Sequence, residues 1–90
     1  MDSYWKEIAL DITEGITVSA TRLDVKYPDT QTLEALLKSL KQLAVVNELH
    51  KEIISMTENI LSKIKEASPE IESIKSETSL LVDILKREII

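Results

Sequence analysis

The chain has no cysteine and no phenylalanine, one glycine, two prolines and three other aromatic residues, Trp5, Tyr4 and Tyr27. Without cysteine there is no disulfide framework, no thiolate nucleophile and no Cys-type zinc site. One glycine in 90 residues rules out a Gly-rich phosphate loop, and so few turn formers argue against a fold of many short strands. Long hydrophobic runs are missing too. Uninterrupted apolar stretches reach only four residues, at Leu43–Val46, and three at Leu80–Val82, whereas a bilayer span needs roughly 20. The N-terminus, MDSYWKEIAL, has no basic leader followed by an apolar stretch, so the expectation is a soluble cytoplasmic protein with no secretory signal.

What is present is aliphatic and charged. Twelve Leu and twelve Ile stand beside 16 acidic and 11 basic residues, for a net charge of −5. The chain is long enough for one domain, 1–90, and too short to enclose a large core. Lacking disulfides and an evident metal site, it must gain stability from compact packing or from association with other chains.

The expected fold is all-α, with three helices at about 3–26, 30–67 and 69–89, antiparallel to their neighbours in an extended or bundle-like arrangement. Tyr27-Pro28-Asp29 and Ser68-Pro69-Glu70 mark the two breaks. In the second, Ser68 suits the N-cap, Pro69 the first helical position and Glu70 the first turn. At the first, Asp29 or Thr30 can cap a helix beginning near Gln31. Trp5, Ile8, Ala9, Ile12, Ile16, Ala20 and Leu23 share one face of a helix. The β-branched residues between Ile16 and Tyr27 admit a strand as the rival, but the helical period covers more of the segment.

The middle segment carries the most informative pattern. Leu33, Leu36, Leu37, Leu40, Leu43 and Ala44 cluster on one side of the helical wheel. Leu49, Ile53, Met56, Ile60, Ile64 and Ala67 cluster on the opposite side. Either the helix breaks near Asn47–His50 and both stripes meet one core, or it stays straight and is sticky on opposite sides at its two ends. No Gly or Pro marks a break, and kinks usually have such a cause. The straight helix is therefore the preferred expectation: a staggered protomer whose two thin hairpins complete their cores with another chain.

On that expectation the interface comprises Trp5, then Leu36, Leu40 and Leu43, then Leu49, Ile53, Met56 and Ile60, and a C-terminal contact of Leu81, Leu85 and Ile89. Asn47 suits either a polar register signal or a solvated crossover. No catalytic, cofactor-binding or metal site is expected. His50, the only histidine, has no carboxylate at ligand spacing, and no Ser-His-Asp arrangement is supported. Glu7, Asp11 and Glu14 share one side of the first helix and read as a solvated face, or as an acidic docking strip. Residues 1–35 hold seven acidic and three basic groups, and no basic stripe forms, which disfavours direct nucleic-acid contact. The function expected is a non-enzymatic protein–protein interaction module, a small assembly or adaptor subunit that forms a homo-oligomer or joins a hetero-complex. The alternative is an acidic regulatory inhibitor or nucleic-acid mimic that binds a basic partner.

Overall fold

The computed structural model describes residues 4–24 and 30–89. It is all-α, with four helices: α1 (Tyr4–Arg22), α2 (Gln31–Val46), α3 (Lys51–Ile64) and α4 (Ile71–Ile89). Each helix packs on its neighbour in sequence, and α1 also packs on α4, closing a ring whose diagonal pairs make no close backbone contact. The 20 × 19 Å cross-section is that of two helix diameters each way. Lys41 on α2 pairs with Glu58 on α3 at 3.4 Å. Lys63 on α3 pairs with Glu77 and bonds Ser73 on α4. Together with the short connections, these contacts make both pairs antiparallel.

The long central helix expected from 30 to 67 is instead two helices with a reversal at Asn47–His50. The expectation failed because the break uses no glycine or proline. Asn47 is the C-cap of α2, and both its backbone N–H and its side-chain amide donate to the Leu43 carbonyl. Glu48 takes the left-handed conformation at φ 53°. Its N–H donates to the Val45 carbonyl, and the Leu49 N–H donates to the Ala44 carbonyl at 2.9 Å. These are the paired bonds of a Schellman helix terminus, with glutamate where glycine is usual. His50 then caps α3, its Nδ1 accepting from the Glu52 N–H at 3.1 Å.

The left-handed glutamate costs roughly 1 kcal/mol. Folding back puts both apolar stripes on one core, where each fully buried Leu or Ile contributes about 1.5–3 kcal/mol. Leu33, Leu37, Leu40 and Ala44 from the first stripe are fully buried beside Ile53 and Ile60 from the second. α1 adds Ala9 and Ile16, and α4 adds Ile74, Leu81 and Leu85, so one cluster draws on all four helices. The staggered protomer with two separate hairpins is thereby overturned.

Smaller differences have local causes. α4 begins at Ile71, two residues past Pro69, with the Glu70 carbonyl accepting the first bond from the Ile74 N–H. α1 ends at Arg22 rather than near residue 26, and its helical course through Ile16–Arg22 excludes the strand there. The break at Tyr27-Pro28-Asp29 lies outside the described residues. Thr30 does occupy the N-cap place of α2, without a side-chain cap bond. Three threonines are buried, Thr13, Thr57 and Thr78. Each hydroxyl donates at 2.7 Å to the carbonyl four residues back, which removes the cost of burying it. Gly15 permits the approach of α1 to α2, since a Cβ there would lie 3.1 Å from Leu36 Cδ1.

Candidate functional site

The residues expected to form an interface serve the protomer's own core. Leu40, Ile53, Ile60, Leu81, Leu85 and Ile89 are buried. Trp5, Leu36, Leu43, Leu49 and Met56 are half-buried and packed against the same cluster. Trp5 also lies under the Lys6 ammonium, 5.8 Å from the ring centroid. His50 is exposed and spent on the α3 cap, and Asn47 on the α2 terminus. Among the described residues no group of three or more His, Asp or Glu is placed to hold a metal ion. No helix among them is long and apolar enough to cross a membrane.

The surface left over is uneven. Seven large apolar side chains are exposed among the described residues: Tyr4, Ile8, Leu10 and Val18 on α1, Val45 and Val46 on α2, and Leu80 on α4. Four of the seven sit on α1 and none on α3, so α1 presents the most apolar outer face. This follows from its composition. α1 buries only Ala9, Thr13 and Ile16, two of them small; Ile8, on the edge of the apolar stripe, is 42% exposed, and Leu10 and Val18 lie off that stripe. Glu7, Asp11 and Glu14 are exposed between these apolar residues. Periodicity could have found this feature, because Leu10 and Val18 fall outside the core-facing stripe.

A groove of ≈310 Å³ opens along the seam between α1 and α4. Small side chains create it: Thr17, Ala20 and Thr21 on α1 face Thr78 and Ser79 on α4. The Thr17, Thr21 and Thr78 hydroxyls all donate back into their own helices, which holds these side chains against the walls. Lys75 and Lys86 also line the groove, with Asp83 and Val82 between them. At spacings of four, three and four residues, Lys75, Ser79, Val82 and Lys86 form one stripe of α4.

Charge pairing follows the opposite distribution. The intrachain ion pairs among the described residues are Lys38–Glu34 within α2, Lys41–Glu58 between α2 and α3, and Lys63–Glu77 between α3 and α4. The last extends into a network with Asn59 and Ser73. None involves the α1–α4 seam. No known protein family, curated protein sequence or solved structure matches the chain.

Proposed function

We propose that this chain is a non-enzymatic helical interaction module, a small cytoplasmic assembly or adaptor subunit that docks on protein through the outer side of α1. The observation that carries this reading is the concentration of exposed apolar side chains on that helix, interleaved with acids. Scattered single apolar residues are ordinary on a protein surface, but four on one helix, with Glu7, Asp11 and Glu14 exposed among them, make α1 the side of this protein best suited to docking. The core residues hold the four helices in register and so set the geometry of the face, without themselves touching a partner. An acidic inhibitor or nucleic-acid mimic would draw on the same Glu7, Asp11 and Glu14. The apolar residues between them favour a protein partner that covers grease as well as charge.

The test is site-specific photocrosslinking in cells of the source organism. A photoreactive amino acid replaces Leu10 or Val18 on the proposed face, or Gln42 or Ser55 on the outer faces of α2 and α3 as controls. Discrete protein adducts at positions 10 and 18, with none at 42 and 55, are the expected result. Equal adducts at all four positions, or none at 10 and 18, would refute the docking role of α1.

A further inference from the structure

Charge is missing from one seam of the bundle. Ion pairs cross the α2–α3 and α3–α4 seams, and Lys75, Asp83 and Lys86 line the α1–α4 groove. At the α1–α2 seam Gly15 lies against Leu36. At steps of three or four residues from Gly15, the same flank of α1 carries Ser19, Ile12, Ile8 and Tyr4. From Leu36, the facing flank of α2 carries Ser39, Leu43 and Val46. Neither stripe holds a charge, in a chain whose residues are 30% charged. With α1 and α2 antiparallel across their short connection, Ile8 comes level with Leu43 and Tyr4 with Val46. Tyr4, Ile8 and Val46 are exposed and Leu43 is half-buried, so apolar side chains gather at the end of the seam where α1 starts. Gly15, Ser19 and Ser39 continue the strip with small residues. From Tyr4 to Ser19 it runs about 22 Å, which is four turns of helix. Loss of charge from a partly apolar strip is what the centre of a protein interface requires.

The two edges of the strip differ. On α1 the edge is Glu7, Asp11 and Glu14, all exposed and none in an intrachain ion pair among the described residues. Arg22 stands on that edge at its far end, and the exposed Glu48 follows just past Val46. On α2 the edge is Ala35 and Gln42, without charge. The nearby lysines belong to other sides. Lys6 is on the opposite flank of α1, with its ammonium over the Trp5 ring. Lys51 shares the flank of Glu58, which faces α2 from α3.

We infer that the partner on this face is an amphipathic helix of another protein, with an apolar stripe and Lys or Arg along one edge. This partner presupposes the docking role proposed for α1 and extends that face across the seam to α2. Its apolar side chains, three or four residues apart, cover Tyr4, Ile8, Leu43 and Val46, and its basic edge lies over Glu7 and Asp11. Because only the α1 edge is acidic, the charges fix which way round the helix lies. A second copy of this chain offers no basic edge on the same face.

The test identifies what crosslinks to the seam in cells of the source organism. A photoreactive amino acid replaces Ile8 or Val46, beside the Leu10 and Val18 positions already described, and the peptide attached to each adduct is sequenced by mass spectrometry. Adducts at 8 and 46 are expected on one segment of another protein, with apolar residues at helical spacing and basic residues along one edge. Glu7→Lys/Asp11→Lys should cut their yield at least about tenfold, while Asp83→Lys, on the α1–α4 side, leaves it unchanged. Circular dichroism checks that both variants keep their helicity. A segment without a basic edge, a second copy of this chain, or a yield indifferent to Glu7→Lys/Asp11→Lys overturns the inference. Adducts at 10 and 18 with none at 8 and 46 overturn it too, and leave the docking role of α1 standing. No adduct at any of the four positions ends both.

Discussion

Truncating Ile53 to alanine loads the shared core where the two halves of the middle segment meet. Ile53 is fully buried in the second turn-defining stripe, on the first turn of α3 and close after the reversal. Its hydroxyl-bearing neighbour Thr57 donates to the Ile53 carbonyl, which fixes the local backbone and limits collapse into the void. Removal of its buried aliphatic groups is therefore expected to cost about 3 kcal/mol, within the 2–5 kcal/mol usual for such a change. A domain of this length has a total stability of about 5–13 kcal/mol. The variant should thus lose a large share of it, and its melting temperature should fall by roughly 12–24 °C. Urea unfolding followed by far-ultraviolet circular dichroism reads the effect as a lower midpoint with an unchanged slope. Val46→Ala is the companion control. Val46 is 78% exposed on the adjoining helix end, and its loss should stay within about 0.5 kcal/mol. If Ile53 instead served a contact between chains, its cost would vary with protein concentration. A concentration-dependent difference from wild type, or a loss under about 1 kcal/mol, refutes the shared core.

The reversal gives further expectations. Glu48→Gly relieves the left-handed strain at φ 53° and should raise stability by about 0.5–1 kcal/mol in urea unfolding; a loss would show that the Glu48 side chain matters more than its backbone. His50→Ala removes the acceptor for the Glu52 N–H and should cost about 1 kcal/mol by the same assay; no change would mean that water caps α3 equally well. Gly15→Ala gains helix propensity worth about 1 kcal/mol, opposed by the 3.1 Å approach to Leu36. A double-mutant cycle should show the full gain only in a Leu36→Ala background. Equal gains in both backgrounds would remove Gly15 from the account of how α1 reaches α2.

The apolar stripes were legible in the sequence because burial leaves a period. Leu33, Leu37 and Leu40 on one side of the wheel, Ile53 and Ile60 on the other, and Ile74, Leu81 and Leu85 in the last segment are the residues found in the core. The half-turn between the middle stripes was legible as well. Its resolution was not, since glycine is the usual signal for a left-handed helix terminus and Glu48 stands there instead. The side chain of Asn47 and the imidazole of His50, each bonded to backbone, complete a break that composition does not announce. α4 buries more than one stripe, Ile84 as well as Leu81 and Leu85, because it is flanked by both α3 and α1. The groove was hidden for a different reason. It arises from small residues on two helices distant in sequence, and only packing brings Thr17 and Ala20 opposite Thr78 and Ser79.

The reversal at Asn47–His50 decides the whole architecture, and one distance tests it. With no cysteine in the chain, Lys38→Cys/Ser62→Cys gives two unique sites for spin labels, both exposed, one on α2 and one on α3. Packed antiparallel helices lie about 8–10 Å apart, so labels on short tethers should report a narrow distribution near 10–20 Å, by the same spacing plus linker length. A continuous helix through this segment would separate the two positions by about 36 Å. A dominant population at the longer distance in dilute protein would contradict the four-helix bundle and return the chain to an extended rod.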